Sequence, residues 1–299
     1  MVVDYRETLV LDIHGQRVEL LIPHYSENAR IIKQHHLTRP NYEYEAIMAT
    51  LFGRLLASIE RPEVLDVGAF IGYYTALAGK LLAGRGRVWA IESNPRHVEV
   101  LRETIRLNRL ENAESVHAAL SDRPEPVVAL NEEVWSDGQR PGAANGHASG
   151  QPIAVQAETC DALCQRLGIA PNLAKLDVHG YEGKVLGGMH DSLRTSLDYV
   201  LLELHQPTYL EKFTPGITRT HILDTLDDAG FHVYYVAGHH YPPDTRRRFL
   251  DAGRFAYHPL TRENRGMLLF DRQSQVFVLA SKRPLPDVIG PSMVDPSVE

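Results

Sequence analysis

Two acid-x-imidazole pairs stand in the second half of the chain, Asp177-Val178-His179 and Glu203-Leu204-His205. Each follows an apolar run, Leu173-Ala174-Lys175-Leu176 and Tyr199-Val200-Leu201-Leu202. An imidazole titrates near neutrality, so His179 can serve as a base towards an alcohol, with Asp177 orienting it. His205 is the rival for that role. Asp177, His179, Glu203 and His205 also offer mixed oxygen and nitrogen ligands for a divalent ion. Two imidazoles are unusual for magnesium, which prefers oxygen, and a metal is not the favoured reading.

A second constellation lies upstream. Val64-Leu65-Asp66-Val67 is a short apolar run that passes through Gly68-Ala69-Phe70-Ile71-Gly72 into Tyr73, Tyr74 and a further apolar stretch. A strand that stops at a glycine turn leaves N–H groups at the next helix start, where a ligand can approach. The dinucleotide fingerprint G-x-G-x-x-G needs a glycine where Phe70 stands, which argues against a pyrophosphate on this turn. Arg87-Val88-Trp89-Ala90-Ile91-Glu92 then ends in an acid about 20 residues past the glycines, the separation at which a carboxylate meets a ribose diol. Ser93 and Asn94 follow it directly.

These residues need strands to present them. The runs ending at Val67, Glu92, Asp177 and Glu203 read as buried parallel strands, and carboxyl ends of neighbouring parallel strands share one rim. Alternation puts Asp177 and His179 on one face of their strand, and Glu203 and His205 likewise. Ser115-Val116-His117-Ala118-Ala119-Leu120-Ser121 reads as another strand, whose end would flank a nucleoside base. Helices are expected after Tyr44-Glu45, with Ile47, Leu51, Leu55 and Ile59 on one face, after Asn94-Pro95, and from Cys160 to Leu167. Tyr44 and Glu45 are candidate lid contacts to cofactor or substrate. Around this body, a hairpin is expected from Thr8–Ile13 and Arg17–Ile22 about His14-Gly15-Gln16. Residues 24–40 read as polar and irregular, residues 131–152 and 238–265 as loops, and the Pro-rich tail beyond Lys282 as poorly ordered. His239 and His240, in the second loop, are candidate substrate contacts.

With 299 residues the chain can bury one large core. Its formal net charge of −7 lacks the footprint of a general nucleic-acid binder. No apolar run is long enough to span a membrane and no signal start is evident, so a cytoplasmic location is expected. Cys160 and Cys164 are the only cysteines and read as packing residues. Oligomeric state is not legible.

The passages at residues 64–74, 89–95, 119–122, 159–163, 175–186 and 201–205 together resemble the FkbM family of methyltransferases, over a match running from about Tyr42 to Ala280. The family typically carries Lys-Ile-Asp-Val-Glu-Gly where this chain has Lys175-Leu176-Asp177-Val178-His179-Gly180, so His179 replaces a glutamate. The resemblance implies an α/β, Rossmann-like class I fold with a seven-stranded, mostly parallel sheet whose last strand is antiparallel. It implies S-adenosylmethionine (SAM) as cofactor, at Asp66, Gly68, Gly72, Glu92 and Ser121, and Tyr73, Ser93, Asn94 and Asp177 are further candidate cofactor contacts. It also implies O-methylation of a small-molecule hydroxyl on a sugar, glycan or polyketide-type acceptor. The expected organisation is a hairpin extension over residues 1–40, a methyltransferase domain over 41–283 and a tail over 284–299. The other readings are a non-catalytic SAM-binding module and a nicotinamide oxidoreductase on a similar sheet. A nucleic-acid methyltransferase lacks its Asn/Asp-Pro-Pro-aromatic motif, because Asp177-Val178-His179-Gly180 stands in that place.

Overall fold

A computed structural model describes residues 6–38, 44–129, 153–237, 255–268, 275–290 and 292. The chain opens with the hairpin β1 (Arg6–Ile13) and β2 (Gln16–Pro23), then α1 (Glu27–Thr38) and α2 (Ala46–Ser58). Next come β3 (Glu63–Val67), α3 (Tyr73–Leu82), β4 (Arg87–Glu92), α4 (Pro95–Leu107) and β5 (Ala113–His117). Three short strands follow, β6 (Ala119–Leu120), β7 (Glu125–Ala129) and β8 (Ile153–Glu158). The second half runs α5 (Cys160–Leu167), β9 (Leu173–Leu176), α6 (Glu182–Gly187), α7 (His190–Thr195), β10 (Tyr199–Leu204), α8 (Pro207–Phe213), α9 (Arg219–Asp228) and β11 (His232–Val236). It closes with β12 (Tyr257–Pro259), α10 (Arg265–Leu268), β13 (Val276–Ser281) and α11 (Pro286–Ile289).

The main sheet has the order β12-β11-β13-β10-β9-β3-β4-β5. From β10 through β5 every pairing is parallel, and β13 is antiparallel to both neighbours, β10 and β11. The chain winds from β3 outward to β5, then returns to β9 on the other side of β3. That reversal makes the β3/β9 boundary the topological switch point, where ligands of such sheets bind. This is the class I Rossmann-like arrangement with its antiparallel last strand. Among the described residues the sheet has eight strands rather than seven, because residues 257–259 add β12 antiparallel to β11.

Period-two alternation sends each strand's side chains into two apolar layers. Val64, Leu201 and Leu279 join one layer, with α2, α3 and the hairpin. Leu65, Leu202 and Val278 join the other, with α5, α6, α7 and α9. The hairpin is held to the body by Asn108, which donates to the Glu19 carbonyl and accepts from the Glu19 N–H at 2.9 Å.

Three local expectations need correction. Residues 24–40 are not irregular throughout: Ser26 caps α1, its hydroxyl oxygen accepting from the Ala29 N–H at 3.0 Å, and Ala29 and Ile32 are buried. The strand expected over residues 115–121 is broken after His117, and Ala119–Leu120 pairs instead with β8 in a separate three-stranded sheet. The start of the tail is ordered: Leu285 is fully buried, its N–H donates to the Tyr234 hydroxyl at 3.0 Å, and α11 follows. The loop readings at 131–152 and across most of 238–265 lie outside the described residues.

Candidate active site

The end of β3 approaches the end of β9 so closely that a Cβ on Gly68 would lie 1.9 Å from the Asp177 carbonyl oxygen. Gly68 also has φ +79°, which a side chain disfavours. Its absence of a side chain therefore lets Asp177 sit beside the glycine turn. The N–H groups of that turn are already engaged. Those of Gly68 and Ala69 donate to the Ile91 carbonyl at 2.9 and 3.0 Å, and that of Phe70 donates to Glu92 Oε2 at 2.9 Å.

Glu92, at the end of β4, is fixed from both sides, since its Oε1 accepts from the Asn94 N–H at 2.7 Å. His97 Nδ1 stands 3.6 Å from the same oxygen. Burial alone would raise this carboxyl's pKa, but the His97 contact and the two backbone donors outweigh it and hold Glu92 below the usual glutamate value. Phe70 packs edge-on to His97, with ring centres 4.8 Å apart.

On the other side of the switch point, Lys175, Asp177 and His179 succeed one another at period two. Lys175 Nζ holds Asp177 Oδ2 at 3.2 Å, and burial of the ammonium is outweighed by the charges of Asp177, Asp66, Glu45 and Glu203, so its pKa is raised. Burial works against ionised Asp177, yet Lys175 and the two imidazoles hold its pKa far down. Glu203 goes the opposite way, driven well up by burial and by neighbouring Asp177 and Glu45. Glu45 is likewise raised by burial, and its Oε2 accepts from the Tyr74 hydroxyl at 2.7 Å.

The two imidazoles meet, a cross-strand approach that the spacing alone does not determine. His179 lies on the turn after β9 with φ +51°, and its ring centre is 4.8 Å from that of His205. His179 Nδ1 is 3.5 Å and His205 Nε2 is 4.0 Å from Asp177 Oδ1. The side chain of His179 is 38% exposed, that of His205 only 7%. Burial lowers the pKa of His179 despite Asp177. Burial acts in the same sense on His205 but loses to Glu182, whose carboxylate faces Nδ1 at 2.7 Å, and the pKa of His205 is raised. Glu182 is itself fully buried and accepts from the Gly180 N–H at 2.9 Å.

One cavity of about 470 Å³ joins these two groups. Of the residues expected to act, Gly68, Glu92, Ser93, Asp177, His179, Glu203, His205, Tyr44 and Glu45 line it. Asp66, Gly72, Tyr73, Asn94 and Ser121 do not. Asp66 is buried, accepting from the Thr75 hydroxyl at 2.6 Å. Gly72 makes room for Leu101, which a Cβ would meet at 2.8 Å. The Tyr73 hydroxyl donates to the Tyr44 carbonyl at 3.0 Å, and Asn94 caps α4 by accepting from the Arg96 N–H. Ser121 is turned away because the chain has left the main sheet. Its hydroxyl donates to Glu125 at 2.7 Å, while Ala118, Ala119 and Leu120 line the cavity in its place. His239 and His240 lie outside the described residues.

The Methyltransferase FkbM domain pattern matches residues 66–233 of this chain, more than half of it. The chain belongs to the FkbM methyltransferase family. The matched region of this FkbM chain begins at Asp66 and takes in Glu92, Asp177, His179, Glu182 and His205, but not Tyr44 or Glu45. Among solved structures, methyltransferase FkbM from Methylobacillus flagellatus KT is 16% identical with a TM-score of 0.44, covering 74% of this chain and 44% of that one. The chain thus spans less than half the length of that protein. Precorrin-6y C5,15-methyltransferase from Geobacter metallireducens GS-15 is 14% identical, TM-score 0.40, covering 81% and 89%. Fibrillarin from Aeropyrum pernix, solved with natively bound S-adenosyl-L-methionine, is 14% identical, TM-score 0.41, covering 93% and 95%. No curated protein matches in sequence.

Sequence reasoning missed Glu182, Phe70, His97 and Tyr209 of this FkbM chain. An acid in a first helical turn reads as a helix-dipole residue, and nothing in sequence tells that Glu182 faces inward to His205. Lys175 was legible in principle, two residues before Asp177 on the same strand face.

Proposed function

We propose that this FkbM-family chain transfers a methyl group from SAM to a hydroxyl oxygen of a small molecule, with a sugar, glycan or polyketide-type compound as acceptor. The observation that carries this reading is the single cavity with Glu92 at one end and the Asp177–His179–His205 corner at the other, across the switch point. In this reading Glu92, ionised and clamped by backbone donors, accepts from the ribose hydroxyls. Glu92 and Asp177, the two lining carboxyls whose pKa is held down, put negative charge in the cavity, which favours a sulfonium cation.

In the reaction the acceptor oxygen forms a bond to the methyl carbon while the carbon–sulfur bond breaks and its electron pair stays on sulfur, leaving a neutral thioether. The sulfonium is already activated, so alignment of oxygen behind carbon accounts for much of the acceleration. The hydroxyl proton must also leave, and Asp177, His179 and His205 are the groups the cavity offers to assist it. A nicotinamide dinucleotide is disfavoured because the turn that would hold its pyrophosphate spends its N–H groups on Ile91 and Glu92. A net charge of −7 speaks for a small acceptor over a nucleic acid, and no helix among the described residues is long and apolar enough to cross a membrane.

A screen of methyl-labelled SAM against sugars, glycolipid precursors and polyketides tests this reading. Label is expected on an acceptor oxygen, and His179→Ala is expected to lower turnover at least about tenfold while SAM still binds. SAM binding without transfer to any acceptor would leave a binding module, and binding of a nicotinamide cofactor in place of SAM would overturn the reading.

A further inference from the structure

We propose that Asp177, His179 and His205 form a binding site for a divalent transition-metal ion of the zinc or cobalt kind, at the acceptor end of the cavity. The ion's part in catalysis rests on the methyltransferase reading; its binding does not. One ligand atom from each of the three residues lies within 4.8 Å of the others, and Asp177 Oδ1 is the shared neighbour, 3.5 Å from His179 Nδ1 and 4.0 Å from His205 Nε2. Atoms bound to a zinc at about 2.0–2.1 Å stand roughly 3.3–3.4 Å apart in a tetrahedron, so modest side-chain rotation closes the set.

Two further observations point to a cation site. Asp177 Oδ1 is buried and accepts no hydrogen bond among the described residues, although Oδ2 of the same carboxylate is held by Lys175. A buried carboxylate oxygen is costly without a hydrogen bond or a bound cation, and the two imidazole nitrogens that face it, at 3.5 and 4.0 Å, make no hydrogen bond to it. His205 is also prepared as a ligand. Glu182, fully buried, engages Nδ1 and so leaves Nε2 directed to Asp177, the carboxylate–imidazole arrangement that orients metal-binding histidines. Two imidazole nitrogens and one carboxylate oxygen suit zinc or cobalt, whereas magnesium prefers oxygens and retained water. An ion held by three protein ligands keeps a coordination position for a further oxygen. There it acts as a Lewis acid on an acceptor hydroxyl, easing loss of the proton to water.

The test uses the full-length protein, stripped with chelator and dialysed, titrated separately with Zn²⁺, Co²⁺ and Mg²⁺. Expected is one tightly bound Zn²⁺ or Co²⁺ per chain, visible absorption bands for Co²⁺ in a site of low coordination number, and weak binding of Mg²⁺. Asp177→Asn and His179→Ala should each abolish the stoichiometric site, and Glu182→Gln should weaken it by about 10–100-fold. His179 is half-exposed, so His179→Ala is the variant chosen to retain the fold, checked by thermal melting. Absence of stoichiometric Zn²⁺ and Co²⁺ binding, or binding unchanged in the folded variants, overturns the site. SAM titration of the same metal-free protein separates the two claims. SAM binding with no metal site removes the ion alone, while a metal site without SAM binding sustains the ion and removes the methyl-donor reading.

Discussion

At Glu92 the chemistry of one carboxylate is set by its neighbours. Two backbone N–H groups and His97 stabilise its charge more than burial opposes it. A depressed folded-state pKa means that the stability Glu92 contributes is present above its unfolded value and is lost only as pH falls through the lower folded one. The same ionised oxygens are the proposed acceptors for the ribose diol. SAM affinity is therefore expected to stay flat, so far as Glu92 governs it, from pH about 7 down to about pH 5, where an unperturbed glutamate begins to protonate. Calorimetric titrations at several pH values in constant ionic strength check this, and a steep loss of affinity above pH about 5 would count against Glu92 as the ribose contact.

At the scale of elements, the turn between β3 and α3 shows what could be read from residue order and what could not. Val64-Leu65-Asp66-Val67 and Leu173-Ala174-Lys175-Leu176 were legible as strands, because buried parallel strands are short apolar runs and their carboxyl ends must share a rim. The acid-x-imidazole pairs could thus be placed together before any coordinates. The role of Gly68 could not, since a glycine after a strand reads equally as a ligand cradle or as a packing necessity. Its packing role follows from the 1.9 Å approach of a would-be Cβ to the Asp177 carbonyl and from φ +79°. Gly68→Ala is expected to destabilise the fold by about 3 kcal/mol, combining left-handed strain with overpacking. Thermal melting would show a fall of roughly 5–10 °C for that loss in a domain of this size. An unchanged melting temperature would mean that the two strand ends can separate freely. Ser121 illustrates the converse failure. Its run reads as one strand, but pairing with β8 is a long-range choice, and it redirects the hydroxyl to Glu125.

For the molecule as a whole, winding order determines where chemistry can occur. The chain leaves β3 towards β5 and returns to β9, so a crevice opens between the two halves, and the most polar strand ends face it. Overall architecture was legible because alternating apolar runs and helices admit few topologies. The eighth strand, the three-stranded side sheet and the burial of Leu285 were not, because each depends on contacts between residues far apart in sequence. The hairpin and α2 precede the region matched to the FkbM family, yet they supply the layer of apolar side chains against which β3 and α3 pack. They also carry Tyr44 and Glu45 to the cavity's edge.

The most direct experiment is calorimetric titration of SAM into the intact protein and into Glu92→Gln. Expected is one SAM per chain for the unaltered protein and at least about tenfold weaker binding for the variant, in keeping with loss of a charge-assisted hydrogen bond. Failure of the unaltered protein to bind SAM, or equal affinity in a correctly folded Glu92→Gln, would contradict the placement of a SAM ribose at the end of β4.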